Sequence, residues 1–270
     1  MTIVITGSEG FIGKSFLEYL VKNHPDYTIY GIDKKERRLY KNGKCYSDPG
    51  ENSYNGLISI GKETSIDYLF HFAATPGVRS EFSNLFEDNV KDLSKTVNLI
   101  KTDHPETKFI FISSSTAVPE NTKSYYGVTK AYGERLVRTL LPSSIVFRLY
   151  NVFGPISRPD TLPYLASHNK ELTLAYSGNI RRHFTWINDV IKAIWNNKDK
   201  IGIYNVANPE EWTIYDFVKV IRNIYNPELK VSVTTDIDSA DSITQIIGKE
   251  PNLLKDNATS IIAGIKQMKL

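Results

Sequence analysis

The feature that most constrains this chain is an alternation. Short apolar runs suited to buried strands, at 2–6, 28–33, 68–73, 108–113 and 145–149, are separated by amphipathic stretches of helical period at 11–23, 82–101 and 125–140. Strands joined by crossovers a helix long pair in parallel, with right-handed connections that place helices over the sheet. The pattern therefore predicts an α/β fold built on a doubly wound parallel sheet. Beyond Phe153-Gly154-Pro155 the alternation gives way to proline- and asparagine-marked segments, with one more strand at 203–206 and a helix at 214–224. The expected organisation is a first domain over 1–155, joined by a returning strand at 201–207, and a smaller, interwoven domain over 156–270. No internal repeat is visible.

Composition narrows the class. The 270 residues are 41% hydrophobic and 23% charged, enough apolar material for one large domain with a smaller companion. A net charge of +3 is mild, and its one basic cluster, Lys34, Lys35, Arg37 and Arg38, reads as a solvated loop, so a nucleic-acid partner is not expected. Cys45 is the only cysteine, which excludes an internal disulfide framework, leaves no metal-ligand spacing and suits a reducing cytoplasm. No run approaches the roughly 18 apolar residues of a membrane span and no cationic leader precedes the first strand. A membrane partner is not expected, and the mature chain is expected to begin at Met1.

Directly behind the first strand, "GSEGFIG" places Gly7, Gly10 and Gly13 where Phe11 and Ile12 open a helix. Glycines at such a strand-to-helix turn let the backbone fold tightly and approach a pyrophosphate, whose charge faces the helix N-terminus. A carboxylate at the end of the second strand then reads the adenosine ribose, and Asp33 lies 20 residues past Gly13. These features predict a Rossmann-type dinucleotide site in the first domain, with NAD as the cofactor. Asp33 repels the 2′-phosphate of NADP, while Arg37 and Arg38 close by leave NADP open.

In "SYYGVTKAYGE" Tyr126 and Lys130 are four apart on a predicted helix and share a face. A phenol of pKa about 10 is a poor base. A neighbouring ammonium, together with the positive ring of a nicotinamide, favours the phenolate and makes Tyr126 a candidate general base. Upstream, "FIFISSSTAVP" ends a strand in three serines, of which Ser115 is best placed to hydrogen-bond both the phenol and a substrate hydroxyl.

Together these elements closely resemble the extended short-chain dehydrogenase/reductase family, the nucleotide-sugar epimerases and dehydratases. Further stretches carry the likeness over nearly the whole chain: "HFAA" at 71–74, "RLYNVFGP" at 148–155, "RRHFTWINDVIKAI" at 181–194 and "IYNVANPEEWTIYDFVKVI" at 203–221. The resemblance implies NAD held by the glycine loop with Asp33, Asp48, Ala73 and Ala74 and by Tyr126 and Lys130, with Asp48 meeting the adenine. It implies a substrate diphosphate held by Asn151 and Arg182 in the smaller, substrate domain, a contact of Asn89 with the active-site helix, and a homodimer paired through the helices at 82–101 and 125–140.

Dehydratases of this family place an Asp-Glu pair just after the catalytic hydroxyl residue, where this chain has Thr116 and Ala117; uronate decarboxylases keep a glutamate there. Synthases that work through enediols need a further Cys/His pair, and Cys45 lies in another part of the chain. What remains is oxidation and reduction at one carbon, the task of a 4-epimerase. "AATPGVRS", "FGPISRPD" and "RRHFTWIND" resemble UDP-glucuronate 4-epimerases, although His183 and Asn188 stand where those have aspartates. A uronate carboxylate needs a cationic fork; Arg158 is suited to it, with Arg79 a second candidate. Two other readings stay open: an enzyme acting on a neutral UDP-hexose, either a UDP-glucose or UDP-N-acetylhexosamine 4-epimerase or an NAD(P)-linked reductase, and a non-catalytic NAD-binding protein.

Overall fold

The computed structural model describes residues 1–42, 44–77, 81–155, 161–175, 179–234 and 244–268. They form two compact units: Met1–Arg148 with Ile194–Tyr204, and Leu149–Ala193 with Asn205–Leu270. The first unit thus closes at Arg148 rather than at residue 155, and it takes back 194–204, the end of a helix and the start of the returning strand.

The first unit is built on a sheet of β1 (Thr2–Thr6), β2 (Thr28–Ile32), β3 (Glu36–Lys41), β4 (Lys44–Pro49), β5 (Tyr68–His71), β6 (Lys108–Ser114) and β7 (Ile145–Leu149), joined by the strand Gly202–Val206, which begins in this unit. The spatial order is Gly202–Val206, β7, β6, β5, β1, β2, β3, β4. β1 pairs in parallel with both β2 and β5, and β5 with β6. The chain therefore leaves β1 towards one side and later resumes on the other, and the winding reverses between β1 and β5. In open α/β sheets ligands bind outside the carboxyl ends of the strands at such a point. The expected Rossmann-type sheet is present.

Helix α1 (Phe11–Asn23) buries Phe16, Leu17 and Leu20. Helix α2 (Ser53–Gly61) starts at Asn52, whose Oδ1 accepts from the backbone N–H of Asn55 at 2.9 Å. Against the sheet, Leu57, Leu93, Val97 and Val137 from helices meet Val4, Leu69, Phe109 and Val146 from strands in one core cluster.

Two segments differ from the sequence expectation. The basic cluster at 34–38 is not a solvated loop: Arg37 and Arg38 lie on β3, which pairs antiparallel with β2 and with β4. The turn passes through Asn42 at φ 52°, the left-handed conformation that an Asn-Gly hairpin turn requires. β4 is exposed along its length, and its Lys44 and Pro49 suit an edge strand that must not recruit another. The helix expected at 82–101 is interrupted: α3 (Phe82–Phe86) runs into a π-helical turn, Glu87–Asp92, before α4 (Leu93–Asp103). The wider turn directs Asn89 inward, where its side chain is buried and fully engaged. Such insertions recur at functional sites and leave no mark in a 3.6-residue period. Helix α5 (Tyr125–Leu140) matches its expected span, with Ser124 Oγ capping the Gly127 N–H.

Among the described residues, the second unit holds three two-stranded pairings. Lys230–Thr234 runs parallel to Glu171–Ala175, Thr185–Trp186 runs parallel to Val152–Phe153, and Arg181–Arg182 runs antiparallel to Trp212–Thr213. Phe184 and Phe217 stack at 3.7 Å between centroids, with Phe153 edge-on to Phe217. The helix Ile214–Tyr225 opens with a reciprocal cap, Thr213 Oγ1 accepting from Asp216 N–H and donating to Asp216 Oδ2. Among the described residues no helix is long and apolar enough to cross a membrane, and no cluster of His, Cys, Asp and Glu could hold a metal ion.

Candidate active site

The glycine spacing is explained by contacts that leave no room for a side chain. Gly7 has φ 71°, its N–H donates to Ile32 O at 2.8 Å, and a Cβ there would lie 2.6 Å from Ala73 N. A Cβ on Gly13 would lie 2.2 Å from Gly7 O. Helix α1 therefore packs directly on the loop, and β1 on the segment that follows β5. Gly10 is the extended N-cap of α1 and supplies no side-chain cap, which leaves the amides of the first turn for a ligand. Phe11 and Ile12 form that first turn, half-buried.

Gly7, Gly10, Asp33, Ala73 and Ala74 line one cleft over the carboxyl ends of β1, β2 and β5, so the sequence brings these predicted residues together. Asp33 is fixed by two backbone donors, Glu9 N–H at 3.2 Å and Lys35 N–H at 3.1 Å. A cradle of bare backbone and a carboxylate at the end of β2 fit the pyrophosphate and ribose of a dinucleotide. The wall also contains Lys34, Glu51, Asn52, Ser53, Asp88 and Asp92, which sequence reasoning misses. Asp48 is not in that wall. It stands directly opposite Arg37 in the β3–β4 ladder, and its mostly exposed carboxylate accepts from Arg37 Nη2 at 2.9 Å. The hairpin register holds it against Arg37, while Glu51 and Asn52 line the cleft.

Ser115, Tyr126 and Lys130 are carried by adjacent elements. Ser115 is buried in a short 3-10 turn at the end of β6. Asn121 Nδ2 donates to Ser115 O at 3.1 Å and Ser114 Oγ accepts from Thr116 N–H, fixing that turn. A Cβ on Gly127 would lie 2.7 Å from Thr116 O, so the glycine after Tyr126 lets α5 press against the serine turn. Lys130 is buried, donates to Ile112 O at 2.9 Å, and has its ammonium 5.9 Å from the Tyr126 ring centroid. Burial pushes its pKa down to about 8, partly opposed by the Glu134 carboxylate. His71, also buried, is pushed down to about 3, first by burial and then by the charge of Lys130. Its imidazole is neutral and bonds through Nδ1 with Thr6 Oγ1 at 2.9 Å.

Asn89 holds two segments at once. Its Oδ1 accepts from Thr75 N–H at 2.8 Å, while its Nδ2 donates to Thr75 O and to Thr129 Oγ1, each at 3.1 Å. The π-turn thereby ties the segment after β5 to the residue beside Lys130. Glu134, one helical turn beyond Lys130, accepts from Ser113 Oγ at 2.6 Å and takes the Arg148 guanidinium bidentately at 2.9 and 2.7 Å.

In the second unit Asn151 has φ 30°, and its Nδ2 donates to Gln245 Oε1 at 2.6 Å and to His183 O at 3.4 Å. Arg182 is buried, with Nη1 donating to Arg181 O at 3.0 Å. His183, beside it, bonds through Nδ1 to Asn208 O at 3.0 Å, and burial lowers its pKa. Arg79 and Arg158 lie outside the described residues.

Comparison with known proteins places this geometry. The family described as NAD dependent epimerase/dehydratase matches residues 3–207. A relative from Bacillus subtilis named "Uncharacterized UDP-glucose epimerase YtcB" is 30% identical, over 98% of this chain and 96% of its own. Among solved structures, UDP-glucuronic acid 4-epimerase from Bacillus cereus in complex with NAD is 24% identical with a TM-score of 0.76, covering 100% of this chain and 95% of that one. UDP-glucose 4-epimerase from Thermotoga maritima, with UDP-glucose, has a TM-score of 0.80 at 20% identity, covering 100% and 97%. At that identity the two structures share the fold.

Proposed function

We propose, because the chain belongs to the NAD dependent epimerase/dehydratase family, that this NAD-dependent enzyme inverts C4 of a nucleotide sugar, a UDP-linked uronate such as UDP-glucuronate or UDP-galacturonate. The observation that carries the epimerase reading is one group able to move a proton, Tyr126 with Lys130 behind it and Ser115 on the adjoining turn, with Thr116 and Ala117 following rather than an acid and a base. Eliminating water or carbon dioxide asks for more than that; shuttling one proton at one hydroxyl does not.

NAD, when bound, would supply a reversible two-electron acceptor for the C4 hydride. The chain's residues do the rest. The glycine loop and the first turn of α1 hold the pyrophosphate and Asp33 the adenosine ribose. Tyr126 Oη takes the proton from the 4-hydroxyl and later gives it back, Ser115 holds the same oxygen, and the Lys130 ammonium favours the phenolate. Asn151 and Arg182 are assigned to the diphosphate. A 4-keto uronate is a β-keto acid that loses carbon dioxide if its carboxylate aligns with the carbonyl, so a cationic fork that fixes the carboxylate would protect it. Arg158 is assigned that role.

The uronate is supported by the sequence stretches around 73–80, 153–160 and 181–189. The Bacillus subtilis relative's name supports a second reading, a neutral UDP-hexose. Incubation with UDP-glucuronate, UDP-galacturonate and UDP-glucose, resolving the products, separates the two. Arg158→Ala is expected to abolish turnover of the uronate, since stranding one partner of a desolvated ion pair costs about 2–5 kcal/mol, while leaving turnover of UDP-glucose unchanged. Equal loss on both sugars would remove Arg158 from the specificity site.

A homodimer is part of the same reading. Phe82, Phe86, Tyr125, Val128 and Tyr132 are exposed on α3 and α5, and Phe82 packs on Phe86 and Tyr125 at 5.8 and 5.2 Å between centroids. An apolar patch of this kind marks an interaction surface. Sedimentation equilibrium is expected to give a dimer at micromolar concentration and a monomer for Val128→Arg; a monomeric wild type would refute the interface.

A further inference from the structure

Two arginines follow the carboxylate assigned to the ribose, on the strand that pairs with β2. β3 follows Asp33 closely and folds back along β2, so that Arg37 lies opposite Ile32 and Arg38 opposite Gly31. An arginine in this neighbourhood is what accommodates a 2′-phosphate, through a charge-assisted fork. Both are already engaged by carboxylates. Arg37 donates to Asp48 at 2.9 Å and to Glu51 at 3.1 Å; Arg38 donates to Glu36 at 2.6 Å and to Glu9 at 3.3 Å. The Arg38 guanidinium holds the Glu36 carboxyl below its ordinary range.

Glu9 is the unexpected member. It sits inside the glycine loop between Gly7 and Gly10, and its own N–H donates to Asp33 Oδ2. Its side chain is only 12% exposed; Oε2 meets Arg38, and Oε1 is buried with no hydrogen-bond partner. A buried acceptor left unsatisfied is destabilising, and more so when charged. A loop that needs only small residues to turn thus keeps an expensive carboxylate on the residue whose backbone N–H holds Asp33.

We propose that Glu9 is a specificity-determining residue that reserves the cleft for NAD. Its carboxylate shares Arg38 with Glu36 and adds a second negative charge on the residue whose N–H holds Asp33, so a 2′-phosphate would meet two carboxylates and no available fork. The inference rests on Asp33 being the ribose-binding carboxylate, and the test separates the two claims.

The full chain, freed of bound dinucleotide, is titrated calorimetrically with NAD and with NADP. Glu9→Gln keeps the shape and drops the charge. It is expected to tighten NADP binding by about tenfold, the scale of one gained charge-assisted contact, and to change NAD binding by less than about threefold. Adding Arg38→Ala to Glu9→Gln is expected to erase the gain. Should Glu9→Gln lack a cooperative melt, Glu9→Ser is titrated instead with the same expectation. An unchanged NADP-to-NAD ratio in the Glu9 variant, with Asp33→Asn relaxing that ratio, overturns the role of Glu9 alone. If Asp33→Asn also leaves NAD affinity and the ratio unchanged, the ribose is read elsewhere and the inference falls with its premise.

Discussion

Tyr126→Phe is expected to lower turnover by about 10²–10⁴-fold, the usual cost of a lost general base. NAD is expected to remain bound, because the cleft wall is made of other residues. Near-normal turnover would move the base elsewhere. The pH profile carries a second signature. Lys130, with a pKa pushed down to about 8, is charged below that pH and neutral above it. The phenolate loses its ammonium partner as pH rises past about 8, so the wild-type rate should fall on that side. Stability runs the other way. The folded pKa lies below the ordinary 10.5, so between those values the unfolded chain binds more protons and the Lys130 contribution to stability improves with rising pH. Rate and stability measured across this window should therefore diverge.

The parallel sheet, α1 and α5 were legible because their side chains alternate or recur with periods that burial alone imposes. The placement of Ser115, Tyr126 and Lys130 on adjoining elements was legible because helical spacing and a strand end are local facts. The hairpin β3–β4 was masked by its charges: Arg37 and Arg38 look like solvated residues until Glu9, Glu36, Asp48 and Glu51 are brought to them. The letters Asn42-Gly43 carried a turn signal that the charge cluster overshadowed. The surroundings of Asp48 were not legible, because cross-strand pairing with Arg37 decides where its carboxylate lies. Asp88 and Asp92 reach the cleft through a π-turn that no periodicity announces. In each case the missing information is which distant segment arrives.

Glu134 shows the same principle with the largest expected effect on stability. Its letter stands within the stretch that contains Tyr126 and Lys130, yet its partners Ser113 and Arg148 come from β6 and β7. Both members of the ion pair are almost wholly buried, with side chains 7% and 6% exposed. Glu134→Ala leaves the Arg148 guanidinium in the interior without its carboxylate, a loss of about 3–5 kcal/mol that a denaturant melt should register. The paired replacement Glu134→Leu with Arg148→Met removes both charges and should recover most of that loss, because the price of the single variant is an uncompensated charge rather than a missing attraction. A double variant as unstable as the single one would mean that the pair holds the elements in place through its geometry. The conservative Glu134→Gln tests the link to chemistry. The Glu134 carboxylate raises the Lys130 pKa against the effect of burial, so neutralising it must lower that pKa further below about 8. The alkaline fall in rate should then begin at lower pH than in the wild type, a displacement that a purely structural defect does not produce; an unmoved limb would separate Glu134 from the protonation of Lys130.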